Sequence, residues 1–196
     1  MIIGAKFISS LARYDENAPL ACTQIAFLGR SNVGKSSLIN ALCHQKSLAK
    51  SSSTPGKTQL INLFEVIFKF NEEKHTFIFV DLPGFGYAKV SKDTKEQWHK
   101  SLDEFLRKQR QIKLFVHLVD ARHTNLELDE GLQQYLQSFL QADQRILRVF
   151  TKADKLNQSQ KAKLKQNFKD AFLVSSTTKQ GLEELENELF RQSLGL

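Results

Sequence analysis

Cysteine is scarce in this chain. Only Cys22 and Cys43 occur among its 196 residues, and no C-x-x-C spacing joins them. That pattern argues against a disulfide framework or a zinc site and suits reduced thiols in a cytosolic protein. The five histidines, His44, His75, His99, His117 and His123, fall at no ligand spacing. His117 lies inside an apolar run and is expected to be a packed or hydrogen-bonded core residue. Long hydrophobic runs are missing too: no stretch approaches the roughly twenty apolar residues of a membrane span. The opening "MIIGAKFISSLARYDENAP" is mildly apolar, but Lys6 interrupts it and no cleavage pattern follows. A short lead-in strand or arm is expected there, and a signal peptide is not. Internal repeats, low-complexity tracts and RNA-recognition motifs are absent.

What is present is an ordinary globular composition, 41% hydrophobic and 25% charged, with enough chain for one core. The reading is a short N-terminal arm (1–22) and one domain (23–196). Basic residues outnumber acidic ones 28 to 21, a formal net charge of +7. Such a balance suits a polyanionic partner, though a soluble protein can also simply be basic.

Buried-strand runs and helix-period stretches alternate along the chain. Strands are expected at 24–29, 59–70, 75–82, 112–120, 145–154 and 171–176. Helices are expected at 35–45, 93–111, 125–141, 157–169 and 179–192, the first with Leu38, Ile39 and Leu42 on one face. "NEEK" (71–74) reads as a hairpin turn. Near-continuous Val/Ile/Leu/Phe strands separated by helices imply an α/β fold: a mostly parallel six-stranded sheet with one antiparallel edge strand and helices on both faces. Ligands of such folds bind outside the carboxyl ends of the strands.

The stretch "GRSNVGKSS" (29–37) satisfies G-x-x-x-x-G-K-[ST] through Gly29, Gly34, Lys35 and Ser36. It follows a strand and opens a helix. There the backbone N–H groups of Gly29, Arg30, Ser31, Asn32, Val33 and Gly34 can wrap a phosphate at the positive end of a helix. Lys35 would reach the β- and γ-phosphates and the Ser36 hydroxyl would bind Mg²⁺. A second Gly-Lys-Thr, in "TPGKTQLI" (54–61), fails the pattern because Ser51 stands where the first glycine is needed. Asp81, Leu82, Pro83 and Gly84 form a D-x-x-G at a strand end, placing a carboxylate for Mg²⁺ and a glycine N–H for the γ-phosphate. "TKAD" (Thr151, Lys152, Ala153, Asp154) ends another strand. The Asp154 carboxylate can accept from N1–H and N2–H₂ of guanine, while adenine would leave it unpaired. Ser175 and Ser176 fall where a backbone N–H meets guanine O6. This order of motifs makes "TPGKT" a switch whose hydroxyl, Thr54 or by preference Thr58, closes on Mg²⁺.

The stretches "GRSNVGKSSLIN", "TPGKTQLINLF", "VDLPGFGYA", "LVDARH" and "TKADKL" together resemble the EngB GTPases of the TrmE–Era–EngA–EngB–septin-like group, over about residue 5 to the C-terminus. The resemblance implies a cytoplasmic, monomeric P-loop GTPase that hydrolyses GTP to GDP. It further implies a role in assembly of the large ribosomal subunit, with its rRNA as partner, and in normal cell division and septation. Mg²⁺ would be held by Ser36 and Thr58, and nucleotide contacts would include Gly56, Lys57, Thr58, Gln59 and Leu60, and Val174 with Ser175 and Ser176. Phe85 stands where many GTPases carry a water-orienting Gln, so hydrolysis is expected to be slow. Asn32 is similar to the asparagine that helps bind K⁺ in related GTPases; plain hydrogen bonding within the loop is the other reading. An ATP-dependent ATPase or kinase is disfavoured by Asp154, and a nucleotide-independent adaptor is the remaining rival.

Overall fold

Strand β2 (Gln24–Gly29) is buried along its whole length, because its alternating side chains enter two different cores. Ile25 and Phe27 point to one and Ala26 and Leu28 to the other. That two-faced burial is what an uninterrupted apolar strand predicts. The structure, a computed structural model, describes residues 1–12, 22–50, 60–84, 92–124, 126–170 and 172–196, with backbone only for 92–99.

The chain runs β1 (Ile2–Leu11), β2, α1 (Lys35–Leu42), β3 (Ile61–Phe70), β4 (Glu73–Asp81), α2 (Lys92–Lys108) and β5 (Ile112–Asp120). It continues through α3 (Glu127–Gln137), β6 (Arg145–Thr151), a single 3-10 turn at Ala153–Lys155, α4 (Gln158–Asn167), β7 (Phe172–Leu173) and α5 (Leu182–Leu194). The strands form one sheet in the order β1-β3-β4-β2-β5-β6-β7. Only β3 runs against the others, antiparallel to both β1 and β4.

The α/β class stands, but the sheet has seven strands where six were expected. The edge strand is β1, and the antiparallel β3 lies inside it. Strand β1 occupies the stretch where a short lead-in strand or arm is expected, but its place in the sheet is hidden from the sequence. As an edge strand it buries only Ile2 fully, so its exposed Phe7 and half-buried Ala5 break any clean alternation. Strand β7 is correspondingly shorter than expected: Val174 to Ser176 already belong to the loop beyond it.

The β3–β4 hairpin turns on Asn71 (φ 46°) and Glu72 (φ 66°), with Phe70 paired to Glu73. Two positive φ values in a two-residue turn match the right-handed twist of the flanking strands. Phe68, Phe70 and Phe77 from this hairpin surround Phe190 of α5, at ring-centroid distances of 5.8, 4.8 and 5.8 Å. Helices α1 and α5 cover this face of the sheet, with Leu38, Ile39, Leu42, Leu185 and Leu189 in the core. Leu102, Phe105, Leu132 and Leu136 bring α2 and α3 onto the other face, and Leu164 brings α4 to the β6–β7 end of it. The helices sandwich the sheet, so the carboxyl ends of β2, β4, β5 and β6 and their loops remain to build a site.

Candidate functional site

Four strand ends converge. Gly29 closes β2, Asp81 closes β4, Asp120 closes β5 and Thr151 closes β6. The parallel registers Phe27↔Asp81, Gly29↔Leu118 and Asp120↔Thr151 set them side by side. Between β2 and α1 the loop 30–34 bends through two left-handed residues, Asn32 (φ 64°) and Gly34 (φ 103°). Gly34 caps α1, and its φ is one that a side chain tolerates poorly. Leu38 N–H then donates to Gly34 O at 2.9 Å and starts the helix. The early N–H groups of α1 have no earlier helical carbonyl to bond, so the loop and helix start together form a positive cradle. Arg30 is held from outside: its Nε donates to both carboxylate oxygens of Asp129 in α3, at 3.0 and 3.1 Å.

The structure brings most of the sequence-derived residues together. Lys35, opening α1, donates from Nζ to Asp81 Oδ1. The ammonium and the D-x-x-G carboxylate therefore share one small volume at the mouth of the cradle. Gly84 lies so close to the loop that a Cβ there would sit 2.9 Å from the backbone of Ser31. Only glycine fits that approach. Leu82 is buried, and its N–H donates to Phe27 O at 3.2 Å, which ties the segment 82–84 to β2. Thr151 Oγ1 donates to Val33 O at 2.6 Å, locking the end of β6 to the loop. Leu60, just before β3, is exposed. Gly56, Lys57, Thr58 and Gln59, together with Thr54 and Phe85, lie outside the described residues.

The T-K-A-D segment makes a second half of the site. Lys152 adopts a left-handed conformation (φ 59°) that is uncommon for a non-glycine residue. Its Nζ donates to Asn32 O at 2.7 Å and to Asp120 Oδ2 at 2.9 Å, and its Cε lies 3.7 Å from where a Cβ on Gly34 would stand. The lysine stem therefore crosses from the T-K-A-D segment to the loop 30–34. Asp154 Oδ1 accepts from Ser175 Oγ at 2.7 Å, and Oδ2 lies 3.4 Å from Lys155 Nζ. The Ser175 hydroxyl, chiefly, holds the Asp154 carboxyl below the usual carboxylate range. Ser175 N–H is already given to Gln180 O at 3.0 Å. Ser176 follows it in the same loop.

Three partners were not singled out from sequence. Asp120 is the first. Burial alone would raise its pKa, but hydrogen bonds from the Arg122 side chain, then Lys152 and the Arg122 N–H, hold it well below the usual range. Its signal was its place at the end of β5, in the same "V-D" setting that marked Asp81. Asp129 is the second, 1% exposed and recognisable only once α3 is folded against the loop. The Ser175 hydroxyl is the third, since the sequence there points only to a backbone N–H. His117 is buried as expected. Its Nδ1 pairs with Gln133 Oε1 at 2.9 Å, and burial lowers its pKa.

A family described as 50S ribosome-binding GTPase matches residues 24–152. A protein of Campylobacter jejuni (strain 81-176) described as "Probable GTP-binding protein EngB" is 65% identical over 196 residues, covering all of this chain and 99% of its own. Its Aliarcobacter butzleri counterpart is 46% identical over 191 residues, 96% of each chain. The chain belongs to the EngB family of P-loop GTPases. The fold agrees with that membership. A crystal structure of a probable GTP-binding protein engB superposes with a TM-score of 0.60 at 21% identity, covering 89% of this chain and 100% of that one. The structure of Era in complex with MgGDPNP and a 16S ribosomal RNA fragment superposes with a TM-score of 0.67 at 20% identity, covering 88% of this chain and 57% of that one. Among the described residues no helix is long and apolar enough to cross a membrane.

Proposed function

We propose that this EngB-family chain is a GTP-dependent switch with slow intrinsic hydrolysis that acts in assembly of the large ribosomal subunit. Through that role it would serve normal cell division and septation. The observation that carries the guanine reading is Asp154, fixed by Ser175 Oγ at 2.7 Å with its carboxylate still able to accept two hydrogens from a purine edge. Guanine presents N1–H and N2–H₂ in that direction, and adenine does not. The Lys152 stem would lie along the base, and Ser176 N–H would reach O6, since Ser175 N–H is engaged. The loop 29–34 would wrap the β-phosphate, with Lys35 moving from Asp81 to the β- and γ-phosphates.

The donor set suits a hard divalent cation. Ser36 and Asp81 offer oxygen only, and the described residues contain no cluster of three His, Cys, Asp or Glu side chains that could cage a metal without phosphate. Mg²⁺ is commonly held this way, by few protein oxygens and the substrate's own. Ser36 and Thr58 would hold it, and it would neutralise charge developing on the phosphates. Phe85 lacks any group to orient water, so turnover is slow until a partner or a monovalent cation adds charge. Asn32, an exposed residue of the loop, would help hold K⁺. In the reaction a water oxygen attacks the γ-phosphorus, the bond to the β–γ bridging oxygen breaks, and GDP and phosphate leave.

Sedimentation of the purified chain with ribosomal subunits tests the switch. Association with the large subunit or its precursor is expected with a non-hydrolysable GTP analogue and not with GDP. Equal behaviour in both states would defeat it. Exchange of Na⁺ for K⁺ is expected to raise turnover about tenfold, in keeping with stabilisation of charge in the transition state.

A further inference from the structure

Helix α4 carries charge that the rest of the chain does not balance. Residues 155–169 contain five lysines and no acid. Elsewhere several helical bases are paired within their own helix: Arg107 with Asp103 and Lys108 with Glu104 in α2, and Arg191 with Glu188 in α5. In α4, Lys161 and Lys165 stand four residues apart, where like charges oppose the helix. Lys161 lies one turn from the N-terminus, where the helix dipole also disfavours a cation. Among the described residues no carboxylate forms an ion pair with Lys161, Lys163, Lys165 or Lys169.

The helix gains little from its own packing. Leu164 is its one buried residue, and its N-terminus is held by a reciprocal capping box between Asn157 and Gln160. Its remaining long side chains, Gln158, Gln160, Gln166 and Asn167, are neutral amides. Lys161 Nζ reaches Gln180 Oε1 at 3.1 Å, which joins the helix to the loop bearing exposed Lys179. A polar helix of like charges, kept by caps rather than by an apolar face, is costly unless a counter-charge meets it.

We propose that this face of α4 docks the phosphate backbone of an RNA stem. The proposal rests on the ribosome-assembly reading above and names the surface that would meet the RNA. Lys161 and Lys165 share one stripe of the helix, and Lys169 follows in the turn just beyond its end at Asn167. Helical neighbours four apart lie about 5–6 Å from each other at Cβ, so Lys161 and Lys165 make a close pair of cations, with Lys169 past the helix end, that suits a line of phosphates better than scattered carboxylates. The glutamines between them offer hydrogen bonds to phosphate and sugar, which position a nucleic acid without reading its sequence. No stacking platform accompanies them. Phe168 is turned inward, 5.0 Å from Phe150, with Arg148 over it at 5.2 Å, so unpaired bases find no aromatic face here. The contact is to backbone, and its strength depends on salt.

The test is fluorescence anisotropy with a labelled RNA hairpin, titrated at several salt concentrations. Replacing Lys161, Lys165 and Lys169 together by Gln is expected to weaken binding about tenfold near 0.1 M salt and to flatten the logarithmic salt slope by about 2. The same three positions changed to Arg should keep wild-type affinity. A control with equal charge loss at the opposite end of the sheet, Lys6, Lys69 and Lys74 to Gln, should bind as wild type does. Wild-type affinity and slope in the α4 Gln variant would overturn the proposal. So would an equal loss in the control, or displacement of the hairpin by polyglutamate at matched charge. Guanine-nucleotide affinity and helical circular dichroism of the α4 variant should be unchanged, which separates this surface from the pocket. Subunit sedimentation of the wild type in the two nucleotide states reports independently on the switch reading. Its failure would leave the hairpin result standing on its own.

Discussion

At the scale of single residues, the proposed base end of the site depends on how one carboxylate is held. Asp154→Asn replaces an acceptor by a donor facing N1–H. Two charge-assisted hydrogen bonds are worth about 1.5–3 kcal/mol each, so guanine affinity should fall at least about a hundredfold while xanthine nucleotides gain. Competition binding with both nucleotides checks this, and retained guanine affinity would remove Asp154 from the base site. Ser175→Ala acts through the same group. The Ser175 hydroxyl is the main cause of the low Asp154 pKa, so its loss should raise that pKa. Guanine binding needs the carboxylate and fails as pH falls through the folded pKa. The variant should therefore lose affinity at a higher pH than the wild type, and at neutral pH by about 1 kcal/mol. The chemistry of Cys43 is set by burial, which, helped by nearby Glu186, pushes its thiol up to about 12. Iodoacetamide followed by mass spectrometry should modify Cys22 and leave Cys43 intact in the folded protein.

Between elements, the decisive contacts are those that fix the phosphate loop from several sides. Gly84→Ala would drive a Cβ to 2.9 Å from the Ser31 backbone, and backbone cannot step aside as a side-chain tip can. Nucleotide affinity should drop at least about tenfold with little change in helix content, because the strain falls on the loop rather than the core. Asp129→Ala would leave the Arg30 guanidinium without its partner. One-sided loss of a buried pair costs about 3–5 kcal/mol, near the lower figure here because Arg30 is 22% exposed. At about 2–4 °C per kcal/mol for a chain of this size, a Tm drop near 6–12 °C is expected in thermal melts. These contacts also mark how far the sequence could be read. Glycine spacing and strand-end acids are local patterns, so the phosphate loop, Asp81 and Asp154 were visible directly. The Arg30–Asp129 and Lys152–Asp120 pairs join residues 99 and 32 positions apart, and no local pattern records them. Strand β1 was half legible for a related reason. Its partner β3 lies fifty or more residues downstream, and as an edge strand it shows solvent a mixed face.

Over the whole molecule, the two ends of the chain are tied together at the edge of the sheet. Ile2 N–H donates to Glu186 of α5, the N-terminal ammonium lies 3.7 Å from the same carboxylate, and Gln45 Nε2 donates to Ala5 O at 2.5 Å. Glu186 is buried, and that burial raises its pKa despite the nearby ammonium. A carboxyl whose folded pKa is raised contributes its stability below the unfolded value and loses it as pH rises through the folded one. Glu186→Gln removes the charge and keeps an acceptor for Ile2. Its Tm advantage over the wild type should therefore appear near neutral pH and vanish toward pH 4, as calorimetry across that range would register. Beyond the end of β6, inside the sheet, Lys152 works as a dowel through three boards, pinning the T-K-A-D segment, the loop 30–34 and the end of β5 with one ammonium. Selection cannot adjust any of the three separately at that position. A change at this lysine would loosen the T-K-A-D segment, the loop 30–34 and the end of β5 in one step.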